Sequence, residues 1–217
     1  MEREREPPLI KIVFLYGSFS AGKTSLLTRY ISDEFSSKLP TIGMEFVSKL
    51  MTIDGKQVKV LFWESGVVER EFESLALTSC YRNAHGVIGV YDLTNKSSFE
   101  CLDNCFKTAI PHLMKNTKFL LLGTKKDLEE DRQVPTDVGQ KFADKIGARF
   151  FEVSAKENES VKEALDTLVA DITASPWNLG ESQPKKESGC SIMLHLKMQN
   201  CKGFLTENNS RPLRYFA

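Results

Sequence analysis

Short apolar runs alternate with segments of helical periodicity along most of this chain. Two alternating segments flank the turn signal Asp54-Gly55 and predict a β-hairpin. The predicted strands lie at 9–16, 44–53, 56–63, 86–91, 118–123 and 150–153. Five helices are predicted. The first follows the glycine-bounded loop 17–22 and runs to about Ser32, and the second ends near Tyr81. The third opens at Ser97 and has apolar residues at helical spacing, namely Phe99, Leu102, Phe106, Ile110 and Leu113. The fourth runs from Pro135 to Gly147, and the fifth covers 161–172.

Strands that alternate with helices predict a mostly parallel sheet covered on both faces, and the hairpin makes the sheet mixed. We therefore expect an α/β fold of three layers, with a six-stranded sheet and about five flanking helices. The domain is expected over 9–174, after a charged arm at 1–8. From residue 175 the periodicity ends, and Pro, Gly, Ser and Lys indicate a flexible tail over 175–217.

Composition narrows the class of protein. The 217 residues are 41% hydrophobic and 27% charged, enough for one domain with its own core. Lys and Arg together number 29, equal to Asp and Glu, so net charge gives no indication of nucleic-acid binding. Five cysteines without CxxC spacing favour a reduced, intracellular compartment. The charged N-terminus is no signal peptide, and no apolar run approaches the roughly 20 residues of a membrane span.

The first strand leads into Gly17-Ser18-Phe19-Ser20-Ala21-Gly22-Lys23-Thr24, which matches the phosphate-binding pattern G-x-x-x-x-G-K-T. The glycines allow backbone amides to point at phosphate oxygens, and the following helix offers free N–H groups. Lys23 would neutralise the β- and γ-phosphates, and the Thr24 hydroxyl would ligate Mg²⁺. A chance match in an ordinary turn is disfavoured by the flanking strand and helix.

Two later stretches indicate guanine. Thr124-Lys125-Lys126-Asp127 and Ser154-Ala155-Lys156 each follow a predicted strand. The Asp127 carboxylate can accept from both N1–H and the 2-amino group of guanine, a donor pair that adenine lacks. The Lys125 stem would lie along the base, and the Ala155 N–H would meet O6. Taken singly, these residues are more often helix caps or solvated side chains, but their order at successive strand ends favours a base site.

These motifs resemble those of the small GTPases of the Ras superfamily, most closely the Rab branch. The resemblance covers about 9–172, or three-quarters of the chain. It is carried by 17–24, 40–46, Trp63, 81–86, 91–94, 124–127 and 154–156.

The resemblance implies a P-loop G domain that binds GTP or GDP with Mg²⁺. It places Thr41 over Mg²⁺ and the γ-phosphate, Phe35 against the base, and two nucleotide-sensing switches around 36–43 and 64–80. Thr24, Thr41 and, through water, Glu64 would hold Mg²⁺. The implied nucleotide-binding residues are Gly17, Ser20, Ala21, Gly22, Lys23, Thr24, Ser25, Phe35, Thr41, Gly66, Thr124, Lys125, Asp127, Ser154, Ala155 and Lys156.

The second switch departs from the family pattern Asp-Thr-Ala-Gly-Gln-Glu. Trp63 is followed by Glu64-Ser65-Gly66-Val67-Val68-Glu69. Aligned without a gap, Val68 replaces the catalytic glutamine; with a one-residue gap, Gly66 matches the glycine and Val67 replaces the glutamine. Neither valine can orient the attacking water. Glu64 stands where the family has aspartate, so its hold on Mg²⁺ through water is in question.

Other departures lie around the phosphates. Phe19 replaces a small residue and would crowd the attacking water or an arginine finger. The spacing from Phe35 to Thr41 is one residue short, and that from Trp63 to Tyr81 about two residues long. Thr124 for Asn is a mild change that other branches share. We expect base recognition to be intact and hydrolysis to be damaged.

The partner surface matches in part. Phe46 and Trp63 occupy two positions of the aromatic trio through which Rab proteins receive effectors, and Cys80 occupies the third. Packing on the sheet is an equal alternative role for Phe46 and Trp63. Protein effectors and exchange factors at the switch loops are the expected partners of a monomer, without nucleic acid.

The tail carries Cys190-Ser191-Ile192-Met193, which has the C-a-a-X form of a prenylation signal, with Lys185 and Lys186 upstream. Such a signal must be terminal, so we hypothesise that 194–217 is an alternative end that hides a lipidation site at Cys190; a chance tetrapeptide is equally compatible. We expect a cytoplasmic protein, peripheral on intracellular membranes if such an end is lipidated.

Together these observations predict a Rab-like switch in membrane trafficking or signalling that is a slow GTP hydrolase. The alternative is a pseudo-GTPase that presents partner surfaces without cycling. A scaffold without nucleotide is the least favoured, because Lys23, Thr24 and Asp127 are intact.

Overall fold

The computed structural model describes residues 7–15, 20–35, 44–53, 55–65 and 80–175. Six strands form one sheet in the order β2-β3-β1-β4-β5-β6. β2 and β3 are antiparallel, and every other neighbouring pair is parallel. This confirms the mixed, mostly parallel sheet. The strands are β1 (Leu9–Phe14), β2 (Met44–Ile53), β3 (Lys56–Ser65), β4 (Gly86–Asp92), β5 (Lys118–Thr124) and β6 (Arg149–Glu152).

Four helices flank the sheet in the described part of the chain, where about five were expected. They are α1 (Lys23–Ser32), α2 (interrupted at Cys101 between Lys96–Glu100 and Leu102–Ala109), α3 (Thr136–Ile146) and α4 (Val161–Thr173). The further helix predicted to end near Tyr81 lies mostly outside the described residues; only its last two residues, Cys80 and Tyr81, are described as helical.

Alternation along the strands divides the core into two layers. Ile10, Ile12 and Phe14 of β1 face a cluster to which α1 and α4 contribute Leu26 and Leu165. Val13 faces the opposite cluster, which contains Phe106 of α2 and Ala143 of α3. The three-layer α/β fold is therefore confirmed.

Two local predictions were wrong. β3 continues to Ser65 instead of ending at Trp63, because Glu64 and Ser65 pair with Glu45 and Met44 of β2. Ile110, predicted on the buried face of a helix, is 50% exposed at the start of a 3₁₀ turn, Ile110–His112. Pro111 in that turn has no N–H to donate, so the α-helix ends at Ala109.

The parallel strands β1, β4, β5 and β6 all end toward the same edge of the sheet, and the candidate site lies there. Pro8 already belongs to the sheet, since its carbonyl accepts from Lys59 N–H at 2.9 Å. Among the residues described, no helix is long and apolar enough to cross a membrane.

Candidate nucleotide-binding site

The end of the phosphate-binding loop and the start of α1 form the first part of the site. Ser20 and Gly22 both have left-handed backbones, with φ of 59° and 78°. Gly22 caps α1 without a side chain, and its carbonyl accepts from Leu26 N–H at 2.9 Å. A left-handed turn followed by a helix N-terminus is the backbone arrangement that binds anions. Ala21 is buried beneath it, and Ser25 is half-buried in the first turn of α1.

Lys23 brings a positive charge to this helix N-terminus. Its side chain is buried, and this burial is the main cause of a lowered pKa, which the charge of Glu64 partly offsets. An ammonium largely removed from water gains from a nearby anion. The position therefore suits a phosphate contact.

Thr24 and Glu64 meet between α1 and the end of β3. The Thr24 hydroxyl donates to Glu64 Oε1 at 2.5 Å, and Glu64 is 6% exposed. Because the hydroxyl proton goes to the carboxylate, the threonine oxygen keeps its lone pairs for a cation. A hydroxyl and a carboxylate are oxygen ligands of the kind that Mg²⁺ prefers, so these two residues fit a Mg²⁺ ion bound with phosphates.

Thr124, at the end of β5, ties the phosphate-binding loop to the sheet. It is buried, and its hydroxyl lies 2.8 Å from the Ala21 carbonyl and 3.0 Å from the Tyr91 carbonyl. The Thr124 hydroxyl thus connects the phosphate-binding loop, at Ala21, to the end of β4, at Tyr91.

Three residues of the predicted nucleotide-binding set, Asp127, Ser154 and Lys156, lie together. Ser154, after β6, donates its hydroxyl to Asp127 Oδ1 at 2.7 Å. Lys156 Nζ lies 3.9 Å from Asp127 Oδ2, and the Asp127 side chain is 11% exposed. The Asp127 carboxylate is therefore held by the Ser154 hydroxyl, has an ammonium group nearby, and keeps a small exposed fraction.

The Ala155 N–H is oriented by its neighbours. The Ser154 carbonyl accepts from Glu159 N–H at 2.9 Å, and the Ser154 N–H donates to Glu159 O at 3.1 Å. Since the peptide is planar and trans, the Ala155 N–H points away from Glu159. No residue in the described part accepts from it, which leaves a backbone donor for a ligand.

Lys125 contacts Asp92, a residue of the site to which the sequence alone assigned no role. It has a left-handed backbone, φ 62°, and its ammonium lies 2.6 Å from Asp92 Oδ2 at the end of β4. The other oxygen, Asp92 Oδ1, accepts from the Thr94 N–H at 2.9 Å and the Thr94 hydroxyl at 2.8 Å. A carboxylate directly at the end of a buried strand was the signal that could have identified Asp92.

Arg29 of α1 is the second residue that was missed. Its guanidinium donates to the carbonyls of Ala155 and Lys156. An arginine in the last turn of a helix is common, so the sequence carried no signal for this contact.

Phe35 and the predicted effector residues differ in accessibility. Phe35 is 46% exposed at the end of the segment that follows α1. Phe46, 52% exposed on β2, stacks on Trp63 of β3 with ring centroids 5.3 Å apart. Cys80 is buried in the cluster around Tyr81 and Val87, so the structure does not bring it to the surface with the two aromatic side chains.

Several predicted site residues lie outside the described residues: Gly17, Phe19, Thr41, Gly66, Val67, Val68 and Cys190.

Comparison with known proteins gives one consistent result. The Ras family model matches residues 11–174. The GTP-binding protein ypt2 of Schizosaccharomyces pombe is 39% identical over 165 residues, 76% of this chain and 81% of that protein. The Ras-related protein RABE1e of Arabidopsis thaliana is 38% identical over 181 residues, covering 82% and 80%. The human Ras-related protein Rab-3B is 36% identical over 198 residues, covering 87% and 88%.

The family model extends from within β1 to just past the end of α4, and this stretch contains the residues predicted to bind phosphate and base. The chain belongs to the Ras family, as a Rab-like small GTPase.

Proposed function

We propose that this small GTPase is a GTP/GDP switch whose intrinsic hydrolysis is slow, acting in intracellular membrane trafficking or signalling. Members of its family are GTP hydrolases that bind guanine nucleotides, generally with Mg²⁺. The observation that carries slow hydrolysis is the pair Val67-Val68, which leaves both alignments of the second switch without a glutamine.

Base recognition is assigned to the cluster at the ends of β5 and β6. Asp127 would accept from N1–H and the 2-amino group of guanine, and the Ala155 N–H would donate to O6. The contact between Asp127 and Ser154 supports this role, because a carboxylate held in place loses less entropy on binding. Lys125, held by Asp92, would lie along the base with Phe35 beside it.

Phosphate binding is assigned to the loop and the first turn of α1, with Gly17, Ser20, Ala21, Gly22 and Ser25 contributing backbone N–H groups. Lys23 would contact the β- and γ-phosphates, and Gly66 would contact the γ-phosphate. Thr24 and Thr41 would hold Mg²⁺ directly, and Glu64 would help to hold it through water. Bound there, Mg²⁺ neutralises phosphate charge. The contact between Thr24 and Glu64 supports this assignment.

The alternative of a pseudo-GTPase that never cycles is not favoured. The relatives span most of the chain, and the phosphate-binding and base-binding residues are retained. The two candidates still differ in one measurable property, which is hydrolysis of bound GTP.

Single-turnover hydrolysis by the purified full-length protein tests the proposal. We expect Val68→Gln to raise the rate if the ungapped alignment is right and Val67→Gln if the gapped one is right, by roughly tenfold or more. Each variant is the matched control for the other. Phe19→Ser serves as a common background, because the benzyl group would obstruct the restored glutamine.

A wild-type rate equal to that of ordinary family members would contradict slow hydrolysis. If neither glutamine raises the rate, even with Phe19→Ser, the missing glutamine is not its cause.

The partner surface is proposed at Phe46 and Trp63 beside the switches, where protein effectors and exchange factors would bind a monomer. Phe46 supports this, because half of a large apolar side chain is exposed there.

We also propose a cytoplasmic location. Prenylation of Cys190 in a chain ending at Met193 stays a prediction, tested by mass spectrometry of the cellular protein.

A further inference from the structure

We propose that Arg29 is a positioning residue for the guanine base, acting from α1 through the loop 154–159 without touching the nucleotide. This rests on the proposed function, because it requires the Ala155 N–H to meet guanine O6. In that case α1, the helix that would also bind the phosphates, would set the geometry of the contact between the Ala155 N–H and guanine O6.

Arg29 makes two contacts with the loop. Its Nε donates to the Ala155 carbonyl at 2.8 Å, and one terminal nitrogen donates to the Lys156 carbonyl at 3.2 Å. The side chain is only 13% exposed. A planar guanidinium offers several N–H groups in a fixed geometry, so it holds two neighbouring carbonyls in one relative position.

A second contact anchors the loop to α1 further along. Asp33, the C-cap of α1, accepts from Asn158 Nδ2 at 2.9 Å. Arg29 also donates to Asp33, to its carbonyl at 2.6 Å and to Oδ1 at 3.2 Å. The helix α1 therefore contacts the loop near both of its ends. We call this set of contacts, made by Arg29, Asp33 and Asn158, the helix clamp.

The helix clamp acts on the Ala155 N–H from one side. On the other side, Ser154 is fixed by Asp127 and by Glu159. The donor thus lies between a residue tied to the base-recognising carboxylate and a carbonyl tied to Arg29. Without Arg29 the Ala155 carbonyl would lose its partner, and the loop would be free to turn its N–H away from O6.

The ion pair with Asp33 alone does not explain Arg29. Asp33 is 77% exposed, and an exposed pair at i,i+4 on a helix contributes little stability. The inference rests instead on the two hydrogen bonds from the largely covered Arg29 side chain to carbonyls that lie 126 and 127 residues away along the chain.

Nucleotide dissociation from the full-length protein with saturating Mg²⁺ tests the helix clamp. Three probes are compared. They are GDP, inosine diphosphate, which keeps O6 and N1–H but lacks the 2-amino group, and 2-aminopurine riboside diphosphate, which keeps the 2-amino group but lacks O6 and the N1–H. The matched control is Arg149→Ala, which removes an arginine paired with an aspartate, Asp171, away from the site.

We expect Arg29→Ala to release GDP and inosine diphosphate roughly tenfold faster, the size of one positioned hydrogen bond to a base. Release of the analogue without O6 should change little, because the contact that the variant loses is absent there. Arg29→Lys should fall between wild type and Arg29→Ala, and Arg149→Ala should match wild type. If Arg29→Ala does not fold, the same release rates are measured for Arg29→Lys and Asp33→Ala. Both should release GDP and inosine diphosphate faster than wild type and change the release of the analogue without O6 little.

Unchanged GDP release in folded Arg29 variants would overturn the inference. Equal acceleration of all three probes would overturn it as well, because it would show general loosening. If wild type binds no guanine nucleotide, the proposed function fails and this inference with it, a result distinct from either of the others.

Discussion

In the proposed site, Asp127 is the residue on which discrimination between bases would depend. Replacing it with alanine removes the acceptor for two guanine donors and the acceptor of the Ser154 hydroxyl, whose oxygen still accepts from the Glu157 N–H. We expect Asp127→Ala to lower the preference for GDP over ADP by about 100-fold to 10,000-fold, since each hydrogen bond to a charged group contributes about 1.5–3 kcal/mol. Competition binding measures this.

The control for that experiment is Asp131→Ala, which removes an exposed carboxylate from a second 3₁₀ turn, Glu129–Asp131, close to Asp127 in the chain. It should leave the preference unchanged. Retained discrimination in Asp127→Ala would show that another group reads the base.

His85 should make stability depend on pH. It is buried, and its Nδ1 accepts from Lys11 N–H at 3.0 Å. Burial, and secondly the charge of Lys11, hold its pKa below the ordinary 6.5. The unfolded chain therefore takes up the proton first as the pH falls, so His85 favours folding above pH 6.5 and loses that contribution below it.

Chemical denaturation at pH 7.5 and at pH 5.5 measures this effect. His85→Asn keeps an acceptor without a titrating group and should lose less stability over that range than wild type. His112→Asn is the control, since His112 is exposed. An equal loss in wild type and His85→Asn would remove His85 as the cause.

Motifs that follow strand ends allowed the sequence to predict which side chains lie close together, while the roles of these residues stay predictions. Asp127, Ser154 and Lys156 meet as expected, because the carboxyl ends of parallel strands lie at one edge. Arg29 could not be predicted, because its contact with Ala155 spans 126 residues and depends on how α1 packs.

At the scale of elements, α3 packs against β4 and β6 through Gly139. A Cβ there would lie 2.7 Å from the Phe150 ring, closer than real Cβ atoms approach, with the buried Tyr91 hydroxyl also in the way. Alanine improves helix propensity by about 1 kcal/mol, but overpacking costs about 1–3 kcal/mol. We expect Gly139→Ala to lower the free energy of unfolding by up to about 2 kcal/mol in denaturant titration.

Gln140→Ala on the exposed face of α3 is the control and should change stability by less than about 0.5 kcal/mol. A gain in stability for Gly139→Ala would mean that the aromatic rings move aside at no cost.

The elements themselves followed from periodicity, and the errors arose at their ends. β3 continues past Trp63 because β2 supplies partners for Glu64 and Ser65, and pairing between strands is invisible in a local pattern. α2 is interrupted at Cys101, although its apolar spacing is continuous. In both cases tertiary contacts and local geometry determine the boundary.

At the scale of the whole molecule, the residues that we propose to bind phosphate, base and Mg²⁺ come from α1 and from the ends of several strands of one sheet. Ligand binding should therefore stabilise the entire domain. GDP with Mg²⁺ at about 100 times its Kd should add about 2.7 kcal/mol, a rise in Tm of about 5–11 °C for a domain of this size. ADP with Mg²⁺ is the control and should leave Tm unchanged. Removal of Mg²⁺ with a chelator should reduce the rise, and equal rises for GDP and ADP would contradict guanine selectivity.

The nucleotide released from freshly purified protein by denaturation, identified and quantified by chromatography, tests the central claim most directly. We predict close to one guanine nucleotide per chain, with a measurable fraction as GTP, which is the result that the proposed slow hydrolysis requires. Protein that carries no nucleotide, or an adenine nucleotide, would contradict the account.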